Sequence, residues 1–105
     1  MEPQLLKGHL DLMLLATIRR RPAHGYSIVQ ALRERSGGEL DLPEGTIYPA
    51  LHRLERSGLL TSEWCDETGR RRKVYALSIA GKAELARRRG AWRHFVQTVD
   101  IVAGR

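Results

Sequence analysis

From Leu5 to Arg20 the chain carries apolar residues at 5, 6, 10, 12, 13, 14, 15 and 18. Steps of three and four predict a helix, and the positions cover more than one stripe, so it should be buried on several sides. That is more burial than one small domain supplies, and it points to a second chain over part of this surface. Pro22 ends the helix, because the residue before a proline is driven out of the α region. His24 to Arg35 predicts a second helix with Ile28, Val29 and Leu32 on its inner face. Ser36-Gly37-Gly38 stops it, glycine supplying the left-handed conformation that helix ends favour. A third helix begins between Glu44 and Thr46 and runs to Arg56 or Ser57, with Ile47, Leu51 and Leu54 inward and Gly58 closing it. With Thr46 as N-cap, Pro49 falls in the first turn, where an amide has no intrahelical acceptor to lose.

After Gly58 the period changes. Leu59 to Glu67 and Arg72 to Ser78 hold the β-favouring Trp64, Val74 and Tyr75 around Thr68-Gly69, the pattern of an antiparallel hairpin with a basic tip. Ser78 is the expected N-cap of a last helix reaching about Val102; Gly81 and Gly90 weaken it, so something outside the helix should hold it. Helix, helix, helix, hairpin, helix is the layout of a winged helix-turn-helix. The expected fold class is mainly α with a small β-hairpin. Residues 1–78 form the expected DNA-binding domain and residues 79–105 a C-terminal dimerisation helix.

A chain of 105 residues fits one domain and leaves little room for a separate catalytic one. With one cysteine, Cys65, an internal disulfide or multi-cysteine zinc site is excluded. No secretory leader and no run near 18 apolar residues is found, so a cytoplasmic protein is expected. Net charge is +6, and 15 of the 18 basic residues are Arg, whose planar fork suits phosphate and guanine edges. Residues 58–105 hold 10 of those 18 cations against 5 acids, concentrated in Arg70-Arg71-Arg72-Lys73 and in Arg87-Arg88-Arg89 with Arg93. This balance points to a polyanion, nucleic acid before a membrane surface. Arg19-Arg20-Arg21, at a helix end, equally fits a solvated face that complements the macrodipole.

Duplex DNA suits this layout, because a helix fits the major groove and presents side chains to base edges. Opposite Ile47, Leu51 and Leu54, at about 100° per residue, lie Gly45, Pro49, His52, Arg53 and Arg56, with Thr46 and Tyr48 flanking. The side is nearly free of anions, since Glu44 and Glu55 lie off its centre. Arg70 to Lys73 would lie along phosphates or enter the minor groove. The plain alternative has Arg53 and Arg56 pairing with Glu55 or Glu34 on the surface.

Gly8-His9-Leu10-Asp11-Leu12, His24-Gly25-Tyr26, Glu44 through Glu55 with its Gly-Thr-Ile-Tyr-Pro-Ala-Leu core, Gly58-Leu59-Leu60, and Gly69 through Tyr75 together resemble the PadR family of bacterial transcriptional regulators. The match spans about residues 5–82, and Ser78-Ile79-Ala80-Gly81 is similar to the usual entry into the family's last helix, with Ser where Thr is frequent. The resemblance implies a winged-helix dimer on operator DNA, often a repressor relieved by a small molecule, in the compact branch with a single C-terminal helix. It implies DNA contacts at Thr46, Tyr48, Pro49, Arg53 and the basic wing residues Arg70, Arg71, Arg72 and Lys73. His52 and Arg56 are added from helix geometry alone.

Leu85, Trp92, Phe95, Val99 and Val102 follow one another at steps of 7, 3, 4 and 3, a heptad seam interrupted by Arg88. Pairing that stripe with Leu6 and Leu10 of the first helix across a two-fold axis would bury both and set two recognition helices about 34–36 Å apart on a pseudo-palindromic site. The alternative is a last helix folded back on its own domain. Trp92 is either a packed anchor or, in a dimer, one wall of a flat slot for the small aromatic effector that the resemblance allows.

No catalytic constellation is legible. His9, His24, His52 and His94 lack metal-ligand spacing, and there is no phosphate-cradling glycine loop or nucleophile elbow, so no enzyme, metal or cofactor is expected. Cys65, near Arg70–Arg72, suits a half-buried strand position better than a redox sensor. The second function kept open is a winged-helix adaptor that binds protein or RNA instead of operator DNA. A membrane-surface helix over 79–102 is the third, disfavoured by its glycines and heptad register.

Overall fold

The computed structural model describes residues 3–104. The chain runs α1 (Pro3–Arg20), β1 (Ala23–His24), α2 (Gly25–Arg35), α3 (Glu44–Arg56), β2 (Leu60–Glu67), β3 (Arg70–Leu77) and α4 (Ile79–Ala103). The side chain of Leu5, counted above among the apolar positions of the first helix, lies outside the described residues. Apolar faces of α1, α2 and α3 close on one core in which Leu14, Leu15, Ile28, Ile47 and Leu51 are fully excluded from solvent. Tyr75 enters the same core from β3, and Leu85 from α4. The many-sided apolar pattern of α1 is thereby explained: it packs on α2, α3, β3 and α4 of its own chain.

The expected antiparallel hairpin is present as β2 and β3, and β1 adds a third strand that was not foreseen, giving the order β1-β3-β2. Two residues, Ala23 and His24, pair with Tyr75 and Val74. A strand this short has no legible alternation. The hairpin turns through Thr68 and Gly69, both at positive φ (49° and 76°), the primed geometry that matches the twist of the flanking strands.

α3 begins earlier than expected. Pro43 is its N-cap residue, and the amides of Thr46 and Ile47 both donate to the Pro43 carbonyl. Thr46 is therefore inside the helix, and Pro49 lies beyond the first turn, where its ring removes the bond to the carbonyl of Gly45. Gly58, at φ +80°, ends α3, and Leu59 N–H donates back to the Leu54 carbonyl at 3.0 Å.

Ser78 caps α4 as expected, its hydroxyl accepting from Gly81 N–H at 2.9 Å while donating to the Gly58 carbonyl at 2.6 Å. The outside support demanded by the glycines is the α3–β2 corner. A Cβ on Gly81 would stand 2.0 Å from the Leu59 carbonyl oxygen, so glycine is what lets α4 approach it. Gly90 has nothing within 4 Å of the corresponding point. No helix among the described residues is long and apolar enough to cross a membrane.

Candidate nucleic-acid interface

α3 lies between the core and solvent with its amphipathic pattern intact. Ile47, Ala50, Leu51 and Leu54 are buried, whereas Gly45, Thr46, Pro49, His52, Arg53 and Arg56 are exposed. Tyr48 is half-buried at the edge of this face. Its ring sits over Gly25 at the start of α2, where a Cβ would fall 2.3 Å from ring carbon Cε1. Close approach at one glycine thus packs the recognition-helix candidate against the N-terminal end of α2. His24 caps α2, its Nδ1 accepting from Ser27 N–H at 3.3 Å. Within His24-Gly25-Tyr26, His24 thus serves as the cap of α2 and Gly25 as the seat of Tyr48.

Arg53 is not a free cation. Its Nη1 and Nη2 donate to both carboxylate oxygens of Asp11 on α1, at 2.8 and 2.7 Å. This fork holds the Asp11 carboxyl below the ordinary carboxylate range and raises Arg53. The acidic partner is neither Glu55 nor Glu34. Asp11 is 42 residues away, and nothing local in the sequence signals the pair. Leu6 and Leu10 of α1 line a groove of about 540 Å³ with Thr46, Pro49, Arg53 and Arg56.

The basic run divides between the two faces of the wing, because alternate strand residues point opposite ways. Lys73 is drawn to the base of the wing, its Nζ 3.0 Å from Glu55 of α3 and 5.4 Å over the Tyr75 ring. Glu55 also accepts from the Ser62 hydroxyl; that bond, with Lys73, keeps its carboxyl below the usual range. Arg71 lies 5.2 Å over the exposed Trp64 ring. Arg72 faces the other way, with Nη1 3.4 Å from His24 Nδ1. Arg70 and Arg71 are exposed beside the turn, opposite Glu67 and Asp66 in the strand register. The outermost arginines therefore have acidic cross-strand neighbours, which dilutes the charge of the run.

The expected dimer stripe also divides. Leu10 and Leu85, at 8% and 2% exposure, belong to the protomer's own core, so each has little surface left to give a partner. Leu6 is half-buried against that core. Trp92 docks on His9 of α1 with ring centroids 4.7 Å apart, and Phe95 lies 6.2 Å from Trp92. The first half of α4 is thus folded back on its own domain. Beyond it, Phe95 (56%), Val99 (43%) and Val102 (81%) stay exposed, as does Ile101. On α4, Glu84 accepts from Arg87 and Arg88, which pull its carboxyl down to about 2. Among the described residues no group of three or more His, Cys, Asp or Glu side chains is arranged to hold a metal ion.

The transcriptional regulator PadR-like family model matches residues 14–87. A transcriptional regulator of Mycobacterium tuberculosis, Rv3488, is 42% identical over 76 residues, covering 72% of this chain and 68% of the relative. A PadR-like transcription factor of Bacteroides fragilis superposes with a TM-score of 0.80 at 34% identity, covering 94% of each chain. A Streptococcus transcriptional regulator superposes with a TM-score of 0.86 at 32% identity, covering 97% of this chain and 99% of that one.

Proposed function

The chain belongs to the PadR-like family of transcriptional regulators, and from that premise we propose that it is a homodimeric repressor of pseudo-palindromic operator DNA. One observation carries the proposal: the solvent side of α3 presents Thr46, Pro49, His52 and Arg56 with no acid at its centre. Tyr48 and Arg53 border that side, and the wing tip adds Arg70 and Arg71. In this reading α3 enters the major groove and reads base edges, while the wing arginines meet flanking phosphates or the minor groove. Arg72 and Lys73, occupied with His24 and Glu55, contribute less to phosphate than their neighbours. Residues 1–78 act as the DNA-binding unit and residues 79–105 as the dimerisation helix, with Trp92, Phe95, Val99 and Val102 as its seam.

Selection of bound duplexes from a random pool tests this directly. The expected result is inverted half-sites with centres one helical turn apart; single unpaired motifs or no enrichment would overturn it. Arg70→Ala and Arg71→Ala are each expected to weaken binding to every duplex and to reduce the salt slope by about one. Equal slopes for parent and variants, measured by anisotropy across a salt series, would remove the wing from the interface.

A small aromatic effector is part of the same proposal. A cavity of about 330 Å³ between α1 and α4 is lined by His9, Leu12, Arg87, Arg88, Trp92 and Phe95. The aromatic floor suits a planar ring, and Arg88, bonded to Glu84 through Nε, leaves its Nη groups for an anionic substituent. In a Trp64→Phe chain, Trp92 is the sole tryptophan, and its emission should change saturably as benzoate-type compounds are added. A flat titration would argue for an anchor only.

A further inference from the structure

The Asp11–Arg53 pair belongs to a longer array of alternating charge. On α4, Arg87 Nη2 and Arg88 Nε donate to Glu84 Oε2 at 2.7 and 2.6 Å. Arg88 Nη1 then stands 3.7 Å from Asp11 Oδ2 on α1, the same oxygen that receives Arg53 Nη1 of α3 at 2.8 Å. One carboxylate thus faces guanidinium groups from two other elements, one tight and one at the limit of an ion pair. Asp11 has only 16% of its side chain exposed, so water screens the competition weakly.

An Arg fork that spends both Nη atoms on a carboxylate has its charge largely balanced and its end-on face closed to phosphate. What α3 offers DNA therefore depends on whether Asp11 keeps Arg53. Arg88, the second guanidinium facing Asp11, is at the same time bonded to Glu84.

We propose that Asp11 is a latch on the recognition helix, and that α4 works it through Arg88: with Glu84 holding Arg88 back, Asp11 keeps Arg53 from the DNA, and displacement of Arg88 toward Asp11 delivers Arg53 to phosphate. The proposal rests on α3 being the DNA-facing helix. It makes Asp11 and Glu84 positioning residues that need not touch DNA. It also gives the C-terminal helix a route to the interface through side chains that cross between elements, without a change of fold.

The test uses the full chain and a random-sequence duplex, with dissociation constants read by anisotropy over a salt series. Asp11→Asn should tighten binding about tenfold at low salt and steepen the salt slope by about 0.9, one additional phosphate contact. Glu84→Gln should move both in the same direction. Asp100→Asn, an equal change of net charge on an exposed α4 residue, should leave the slope unchanged. In an Arg53→Gln chain, Asp11→Asn should have no effect on the slope. An unchanged slope for Asp11→Asn, or a slope change that persists without Arg53, overturns the latch. Circular dichroism restricts the comparison to temperatures at which every variant is folded.

A parent chain that binds no duplex overturns the DNA reading of α3 instead. The link itself is read without DNA from the Arg53 Nε–H resonance: a shift in Glu84→Gln supports it, and a resonance identical to the parent's overturns it.

Discussion

Gly81→Ala is expected to destabilise the protein by about 1–3 kcal/mol, the range typical of forcing an extra methyl into a packed site. For a domain of this size that lowers the melting temperature by roughly 4–8 °C per kcal/mol. Helix propensity alone gives the opposite sign, since alanine in a helix is favoured over glycine by about 1 kcal/mol. The contact decides: the added Cβ would meet the Leu59 carbonyl oxygen at 2.0 Å, and a backbone atom at a tight corner cannot swing aside as a side-chain tip does. The Leu59 carbonyl also accepts from Ser78 N–H at 3.1 Å, so the push falls on the bonds that seat α4. Gly90→Ala is the internal control. With open space around it, that change should follow propensity and stabilise by up to about 1 kcal/mol. Thermal melts of the two variants should move in opposite directions; two stabilised variants would show that α4 is not seated as described.

The largest functional loss is expected from Trp92→Ala combined with Val99→Ala. In the proposed dimer the two half-sites are bound by linked modules, and linkage commonly multiplies affinity by about 10²–10⁴ without new contacts. Removing the seam should give a monomer by sedimentation and weaken operator binding by about that factor, while binding to a single half-site changes little. Val99 is 43% exposed and outside the core cluster, so its truncation leaves no cavity in the protomer. Trp92 also touches His9, so a modest fall in stability accompanies the loss. An unaltered sedimentation coefficient at micromolar concentration would remove this seam from the assembly.

The helices were legible because their signals are local. Three- and four-residue spacing, Pro22, the glycines after α2 and α3, and Ser78 before α4 each act within one or two turns. The strand Ala23–His24 was not, since two residues cannot show a period and their pairing partner lies about 50 positions on. Thr46 looked like a cap because threonine favours that position, but the Pro43 carbonyl already serves the first amides.

Of the interface, the exposed side of α3 could be read from angular spacing. The state of its charges could not. Asp11 reaches Arg53 through tertiary packing, and strand alternation sends Lys73 to Glu55 and Arg72 to His24, although the sequence lists them as neighbours. Leu85 misled because it stands at heptad spacing from Trp92 across the break at Arg88, yet belongs to the stripe that seals the protomer's core. Periodicity shows that a face is apolar and is silent on which chain covers it.

The corner at Gly58–Leu59 has a mechanical consequence. α3 ends there, and α4 is stapled there by Ser78 and Gly81. A rod of 25 residues, about 37 Å long at 1.5 Å per residue, is thus rooted at the foot of α3. If two such rods clasp at their far ends, their tilt works as a pair of calipers. A few degrees of rotation about that root would open or close the gap between the two α3 helices by ångströms, enough, in the proposed complex, to decide whether both fall into register with successive turns of a duplex.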